Sequence, residues 1–478
     1  MDQDESTLFL INNKLYSNKT YEEKSKYPEE YNMLEEEYNA LNIFSKKKFS
    51  SKIFQYNRKS SMEESISTIF FRPVHHGSLK SSIFCMICVT LGTGMLPIPH
   101  LFSYNGLILT FILFLFFSFP TYITLQILIK ISHENKLYNF PELVCKYFGN
   151  KSFMSKLTIT SLLINSFGCI ILWNFYINKF SVGLISYFKE EYATNQNGQY
   201  ICIIILIFIQ IPLAIYNKGN EFDLMSTLGV LQIIYVLLVL IIEFPSYIKE
   251  YFNKNIFLEK ETYFTTNLFS IMEIPFVLFT SFGNHSTILS VVEQIKQKTT
   301  NRVLNVGKFT FFGEFFIYIY LVLICFFSTF YHTNDNEIFL IRPKITFLTT
   351  LGQFFMVILM VCNISLYYFT TLPTLQFIFN ESKEFSKNQN TLSAILMLCT
   401  LTLISFFISD LDNILTFLGI FAQVSLIFII PISLYLKINK NEIPFNFKLI
   451  YIFAILFYST LGIAGFFFMI FNKKNKTL

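Results

Sequence analysis

The chain has 478 residues, of which 53% are hydrophobic, 18% aromatic and only 14% charged, and its formal net charge is +5. A soluble globular domain carries far more charge, so this composition excludes an ordinary soluble enzyme or binding domain. Apolar runs of about 20 residues, the length that crosses a bilayer, recur between Leu79 and Phe471. They predict an all-α polytopic membrane protein. In a membrane protein the net charge says little about partners, because what matters is which loops hold the Lys and Arg; no nucleic-acid partner is expected.

The chain begins with a polar tail over residues 1–78, which starts acidic and becomes basic. Its low hydrophobicity predicts that it is largely disordered. The transmembrane domain is expected over residues 79–471, with a short C-terminal tail over 472–478. Hydropathy predicts eleven spans, at approximately 80–104, 106–131, 157–188, 200–216, 224–248, 267–295, 306–330, 346–379, 392–409, 411–436 and 448–471.

The distribution of Lys and Arg predicts how the chain is oriented. If the N-terminus is cytosolic, the connections on that side carry more Lys and Arg than the opposite ones, and the basic end of the tail adds to them. Positive residues favour the cytosolic side of a membrane. We therefore expect a cytosolic N-terminus and, because the number of spans is odd, a C-terminus on the other side. The sequence leaves open a plasma membrane or an acidic, vacuole- or lysosome-like membrane.

Two of the predicted spans are interrupted at mid-depth. The first contains Gly92, Gly94, Pro97 and Pro99, and the sixth contains a polar run over residues 280–287. Irregular backbone persists inside a bilayer only where it is buried in protein or lines a cavity. Interrupted spans at matching positions of two five-helix halves predict an inverted-repeat transporter whose site lies between the half-helices.

Four stretches carry motifs of a known family and occur in the order of that family. They are Leu91-Gly-Thr-Gly-Met-Leu-Pro-Ile-Pro-His-Leu-Phe102, Ile211-Pro-Leu-Ala-Ile with Ser226-Thr-Leu-Gly, Phe282-Gly-Asn-His285 with Glu293, and Asp410-Leu-Asp-Asn-Ile-Leu-Thr-Phe-Leu-Gly419 with Pro431. Over roughly residues 76–471 the chain thus resembles the amino acid/auxin permease family, a branch of the LeuT-type transporters in the APC superfamily. The resemblance implies a LeuT-type 5+5 inverted repeat of eleven helices with broken helices 1 and 6. It also implies a secondary transporter of amino acids, driven by protons or sodium.

Two residues depart from the pattern of the sodium-coupled members. Cys88 and Asn363 stand where those members tend to have Asn and Thr as sodium ligands. A thiol is a poor ligand for a hard cation that prefers oxygen. We therefore expect proton coupling or facilitated diffusion, with sodium less favoured. No other metal and no cofactor is expected, and the partners are the amino acid, the coupling proton and membrane lipid.

The predicted site follows from the chemistry of an amino acid, whose carboxylate and ammonium each need partners of opposite partial charge. Free amides at a half-helix end of the first span suit the carboxylate, and carbonyls of the first and sixth spans suit the ammonium. The simpler interpretation of the glycines is close helix packing. The predicted substrate-binding residues are Thr90, Gly92, Thr93, Gly94, Met95, Phe279, Thr280, Phe282, Gly283, Asn284 and His285, with Asn165, Phe167 and Asn174 of the third span as further candidates.

Ionisable side chains at membrane depth are functional candidates by default. His285 is the first choice for a proton-responsive residue because it lies centrally in its span, and Glu293 is the second. The simplest interpretation of four carboxylates near the ends of spans is that they reach towards the membrane interface. These are Glu243, Glu273, Glu293 and Glu314.

Two other functions stay open. An amino-acid sensor would bind the same ligand and signal through the N-terminal tail, and other amine cargo, such as polyamines or weak-base drugs, would suit the same architecture. A membrane enzyme is not expected, because the loops contain no nucleophile–base pair, metal cluster or phosphate-binding loop.

Overall fold

The computed structural model describes residues 77–188, 207–215, 222–253, 268–326, 346–380, 385–407 and 411–476. The predicted tail, up to residue 76, and parts of several predicted spans lie outside these ranges. Within them the regular secondary structure is entirely helical.

The helices are numbered here in chain order. Up to residue 253 they are α1 (Leu79–Gly94), α2 (Pro97–Asn105), α3 (Leu107–Asn135), α4 (Phe140–Phe148), α5 (Phe153–Phe188), α6 (207–215) and α7 (Phe222–Asn253). They continue as α8 (Leu268–Ser281), α9 (Ile288–Glu293), α10 (Thr300–Phe326), α11 (Phe347–Asn380), α12 (Lys387–Ser405), α13 (Leu411–Leu418), α14 (Ile430–Ile438) and α15 (Phe445–Lys476). A 3₁₀ turn at Asn284–Ser286 precedes α9, and a π-helix at Gly419–Ile429 joins α13 to α14.

Six helical stretches in the described ranges are long and apolar enough to cross a membrane. They are Leu107–Asn135, Phe153–Ile185, Thr300–Leu323, Phe347–Phe379, Asn413–Ile438 and Phe445–Ile470. Large apolar side chains such as Phe116, Phe316 and Phe453 are more than half exposed on their outer faces. Such surfaces are unfavourable in water and normal against lipid. The chain is therefore an integral, multi-pass membrane protein.

The core lies where the interrupted spans meet the longest helices. Helix α5 packs along α11, while α1 packs against α7, α10 and α11. The buried ring of Trp173 on α5 lies 4.5 Å from that of Tyr367 on α11. The π-helix packs against α5, α8 and α15. Polar groups that the sequence places at mid-depth are thereby enclosed by protein.

Hydropathy does not predict helix α4, because its nine residues are too few for a span. Its face with Phe140, Leu143 and Val144 is buried, while Lys146 on the other face is exposed. This is the apolar stripe of a short amphipathic helix. At the other end of the chain, α15 continues to Lys476, inside the predicted C-terminal tail.

Candidate functional site

An unwound segment interrupts the sixth predicted span. Helix α8 ends at Ser281, and Gly283 lies outside any helix, with φ −74° and ψ 54°. The N–H of Asn284 donates to the carbonyl of Phe282 at 2.8 Å, so the carbonyl of Thr280 lacks its usual α-helical partner. The segment is buried, which is the condition under which a bilayer tolerates irregular backbone.

Side chains of the unwound segment bind to the helices around it. His285 Nε2 lies 3.2 Å from Thr124 Oγ1 on α3. Ser286 Oγ accepts a hydrogen bond from Asn165 Nδ2 on α5 at 2.9 Å. These bonds offset part of the loss of backbone hydrogen bonds, because each is worth roughly 1 kcal/mol net.

Glu314 of α10 connects the two interrupted spans. Its buried carboxyl group lies 2.9 and 3.0 Å from Asn284 Nδ2 and also contacts the hydroxyl of Thr90 on α1. Thr90 Oγ1 lies 2.9 Å from Asn284 Oδ1, so two predicted site residues are brought together. The prediction that Glu314 reaches the membrane interface is wrong, because hydropathy gives only its place along the span and not the helices that enclose it.

The first predicted interruption is smaller than expected. Helix α1 continues through residues 92–94, and the Met95 N–H donates to the Leu91 carbonyl at 3.1 Å. Met95 and Leu96 keep right-handed helical dihedral angles before α2 begins at Pro97. The prediction of free amides is therefore wrong for Gly92, Thr93, Gly94 and Met95. The side chain of Thr93 lies outside the described residues.

Two glycines of α1 permit close contact with other helices. A Cβ atom on Gly94 would overlap Tyr318 Oη and lie 2.9 Å from Ser281 Cβ, and one on Gly92 would lie 2.5 Å from Asn363 Nδ2. The Tyr318 hydroxyl also donates to the Ser281 carbonyl at 2.9 Å. Side chains at these positions would therefore push α1 away from α8, α10 and α11.

Other predicted site residues contact different parts of the protein. The Thr280 hydroxyl lies 3.0 Å from the Leu415 carbonyl on α13. Phe279 packs with its ring centroid 5.0 Å from that of Phe428 in the π-helix. Phe282 packs among aromatic rings of α3 and α10. These three side chains thus serve packing around the unwound segment.

The remaining candidates differ in their relation to the unwound segment. Glu293 is exposed at the end of α9, whereas His285 is fully buried. Asn174 accepts a hydrogen bond from Gln210 Nε2 on α6 at 2.9 Å, and Phe167 is half-buried. Of the third-span candidates, it is Asn165 that touches the segment.

Gln423 of the π-helix is a site residue that the sequence motifs miss. Its Nε2 donates to Asn165 Oδ1 at 2.6 Å, and a Cβ atom on Gly283 would overlap this amide. Among the described residues, Gln423 Oε1, Trp173 Nε1 and His285 Nδ1 are buried without a hydrogen-bond partner. Buried polar atoms are normally paired, so these indicate room for a polar ligand or water. The available signal was a glutamine within an apolar span.

Carbonyl groups near Cys88 already accept hydrogen bonds. Asn363 Nδ2 donates to the Cys88 carbonyl at 3.0 Å, and the Cys88 thiol donates to the Ser226 carbonyl at 3.3 Å. These residues line a small cavity with room for about one water molecule. In the part of the chain that the structure describes, no group of three or more His, Cys, Asp or Glu is placed to hold a metal ion.

A family profile described as "Transmembrane amino acid transporter protein" matches residues 75–471. Sodium-coupled neutral amino acid symporter 2 of Danio rerio is 23% identical over 397 residues, and the match covers 76% of this chain and 76% of that protein. Putative amino acid transporters of Plasmodium berghei and Plasmodium falciparum are 26% identical over 317 and 262 residues, or 64% and 50% of this chain. These matches span 48% and 39% of the Plasmodium proteins, less than half of their length.

The crystal structure of MhsT in complex with L-phenylalanine superposes with a TM-score of 0.52 at 13% identity, covering 83% of this chain and 100% of that chain. At this identity the likeness shows the fold alone, which is the LeuT-type fold that the sequence motifs imply. The family profile, in contrast, covers most of the chain. On that ground the chain belongs to the transmembrane amino acid transporter family, the amino acid/auxin permease family that its motifs resemble.

Proposed function

We propose that this protein is a secondary transporter that moves amino acids across a membrane by alternating access, with proton coupling or by facilitated diffusion. Amino acid transport itself follows from the family. The observation that carries the mechanism is the buried unwound segment between α8 and α9. The Thr280 carbonyl lacks its usual α-helical partner there, and His285 Nδ1 and the neighbouring Gln423 Oε1 are buried without a hydrogen-bond partner.

The proposed architecture has eleven crossing helices in a LeuT-type 5+5 inverted repeat. The pair α1–α2 is its first member and the pair α8–α9 its sixth. The proposal keeps a cytosolic tail over 1–78, a transport domain over 79–471 and a short tail over 472–478. The likeness to MhsT and the two interrupted spans support it. The membrane is proposed to be the plasma membrane or an acidic, vacuole- or lysosome-like one.

The charged head of the substrate is proposed to bind at the unwound segment. The carbonyl of Thr280 and Gln423 Oε1 are acceptors next to Gly283, and acceptors of this kind suit an ammonium group. Within the predicted set, the proposal thus centres on Gly283, Asn284 and His285 rather than on Gly92 to Met95. Gly94 acts there as the contact that lets α1 approach α8.

Hydrogen bonds around Cys88 support proton coupling or facilitated diffusion over sodium coupling. A sodium ion prefers oxygen ligands, and a thiol is a poor substitute. The Cys88 thiol and the Asn363 amide instead donate hydrogen bonds to the carbonyls of Ser226 and Cys88. The Danio rerio relative is named as sodium-coupled, so the two proteins are proposed to differ in their ion.

Purified protein in liposomes tests the function directly. Labelled amino acids are offered under an imposed pH gradient, a sodium gradient or neither, and we expect uptake that a sodium gradient does not stimulate. If the protein binds amino acids without moving them, the result contradicts transport and favours a sensor. A sensor is also favoured if deletion of residues 2–70 leaves amino acid binding unchanged but abolishes binding of a protein partner. Uptake of polyamines or weak-base drugs in place of amino acids would redirect the substrate assignment.

Gly94→Leu tests the site. Its side chain overlaps the buried Tyr318, and overpacking costs about 1–3 kcal/mol, so we expect uptake to disappear while the protein still reaches the membrane. Gly352→Ala is the control, since a Cβ atom there lies 3.7 Å from its nearest neighbour, Tyr235, and we expect normal uptake. Undiminished transport by Gly94→Leu would count against the site.

A further inference from the structure

We propose that Glu314 carries the coupling proton and that its protonated form ties the two interrupted spans together through Thr90 and Asn284. The proposal rests on the proposed function, because it names the coupling group of the same transporter. It replaces His285 and Glu293, the sequence-based candidates, with a residue that touches both interrupted spans.

Glu314 is enclosed by protein and held by neutral partners. Its side chain is 0% exposed, and its hydrogen-bond partners are Thr90 on α1 and Asn284 in the 3₁₀ turn. Among the described residues, no Lys, Arg or His donates to it. An isolated carboxylate is costly to bury without a cation, and an ionisable group inside a membrane is by default a functional one.

The hydrogen-bond geometry fits a neutral carboxylic acid. Thr90 Oγ1 contacts Glu314 Oε1, Asn284 Oδ1 and the Met86 carbonyl, but a hydroxyl has one hydrogen. If it donates to a carboxylate, it faces the Asn284 oxygen with no hydrogen between them. With the proton on Glu314, the carboxyl O–H donates to Thr90, the Thr90 O–H donates to Asn284 Oδ1, and Asn284 Nδ2 donates to Glu314 Oε2 at 3.0 Å. Each side-chain contact in this ring is then a hydrogen bond. Of the three oxygen contacts of Thr90, only the one with the Met86 carbonyl then lacks a hydrogen, whereas a carboxylate leaves two of the three without one.

Turning the amide of Asn284 by 180° does not remove the need for this proton. The amide oxygen would then lie against both oxygens of Glu314, at the positions that Nδ2 occupies 2.9 and 3.0 Å away. Two acceptors can share a contact only if one of them carries a hydrogen. Either orientation of the amide therefore calls for a protonated carboxyl group.

Five helices pack against α10: α1, α2, α3, α7 and α9. Two titratable groups of α10 and α1 form hydrogen bonds with partners other than Glu314. The Tyr318 hydroxyl, one turn along α10, donates to the Ser281 carbonyl, and the Cys88 thiol donates to that of Ser226. The other titratable residues of these elements, α8 and the 3₁₀ turn are Lys80, Cys85, His100, Tyr104, Tyr122, Lys130, His133, Glu134, Asp223, Tyr235, Glu243, Tyr247, Lys249, Glu250, Tyr251, Glu273, His285, Glu293, Arg302, Lys308, Tyr320 and Cys325. The side chains of seven of these residues lie outside the described residues: His100, Tyr104, Asp223, Tyr247, Glu250, Tyr251 and Cys325.

Loss of the proton from Glu314 breaks the ring of hydrogen bonds, and this change links protonation to transport. A charged carboxylate then stands between α1 and the 3₁₀ turn, and its hydration favours conformations in which water reaches Glu314 from one side. The proton is taken up from the side to which the site is open and released on the opposite side. Because the ring joins both interrupted spans, protonation and the closing of these spans become one event.

Glu314→Gln in liposomes separates coupling from transport. The probe is the labelled amino acid that the wild-type protein takes up best from a panel of the standard amino acids. Glutamine is a neutral mimic of the protonated acid, so we expect the variant to exchange external label for internal unlabelled amino acid. We also expect it to lose the stimulation of uptake by an acidic exterior. Glu134→Gln, a change on the exposed face of α3, should keep both properties.

The outcomes distinguish the two proposals. The proposed function is refuted if the wild-type protein moves no amino acid. Wild-type transport that does not respond to pH refutes only the role of Glu314. A Glu314→Gln variant whose uptake is still stimulated by an acidic exterior also refutes that role. If Glu314→Gln does not fold, Thr90→Val and Thr90→Ser replace it. In the Thr90→Val variant, which lacks the hydroxyl, the ratio of proton-driven uptake to exchange should fall to a small fraction of the wild-type value. In the Thr90→Ser variant this ratio should stay as in the wild type. Equal ratios in both would overturn the proposal.

Discussion

Of the two interrupted spans, the one with more glycines and prolines has the more continuous helix. Between α1 and α2 the chain has Gly92, Gly94 and two prolines, yet Met95 and Leu96 keep helical dihedral angles. The region between α8 and α9 has one glycine and no proline, yet the chain leaves the α-helix over residues 282–287. The number of glycines and prolines therefore does not decide which of the two spans leaves the α-helix.

Hydrogen bonding explains the difference. Pro97 is the first residue of α2, where a missing N–H costs nothing and the fixed φ of proline suits a helix. In the unwound segment, Asn284, His285 and Ser286 each contact a side chain of another helix. These contacts offset backbone hydrogen bonds worth about 1 kcal/mol each. Bonded polar side chains thus open a buried helix, and prolines at a helix start do not.

The largest effect is expected from a substitution of Asn284 in the unwound segment. Asn284→Leu leaves Glu314 without two contacts and Thr90 without one, and an unsatisfied buried group costs about 1–3 kcal/mol. We expect initial uptake to fall at least tenfold, since about 1.4 kcal/mol corresponds to a factor of ten, and the melting temperature to drop. Uptake rates and thermal unfolding in detergent measure both. Asn439→Leu should change neither, because this amide follows the end of α14 and donates to the Tyr435 carbonyl of that helix. Normal uptake by Asn284→Leu would contradict the comparison.

An intermediate effect is expected at Gln423, which contacts the open segment from outside. Gln423→Leu removes its bond to Asn165 and the free acceptor next to Gly283. Loss of about 1 kcal/mol of substrate binding raises KM roughly fivefold, and we expect the order of preferred amino acids to change. Competition by unlabelled amino acids measures it. The control is Gln126→Leu, which loses one hydrogen bond to the Leu304 carbonyl on α10. An unchanged KM in Gln423→Leu would remove this residue from the site.

The sequence predicts much of the fold and part of this site. The polar residues at mid-depth correctly locate the interruption of the sixth span, and Thr90 and Asn284 are brought together as expected. The glycines of the first span lie instead within α1, and the helical path stays nearly continuous up to Pro97. Glu314 and Gln423 could not be found in this way, because hydropathy gives depth along a span but not the neighbour that a side chain faces. The prediction of free amides in the first span was wrong for a related reason. The sequence alone does not show whether a proline ends one helix or begins the next.

The smallest effect is expected where the helical path is already continuous. Pro97→Ala restores an N–H at the start of α2, and the helical angles of Met95 and Leu96 let it join the helix without a change of path. Pro141→Ala, in the first turn of α4 outside the interrupted spans, is the matched control. We expect uptake by both variants to stay within about twofold of wild type, because such substitutions change stability by only about 0.4–1 kcal/mol. A much larger loss for Pro97→Ala alone would mean that the first interruption opens during the transport cycle, and that its closed form here is one of two states.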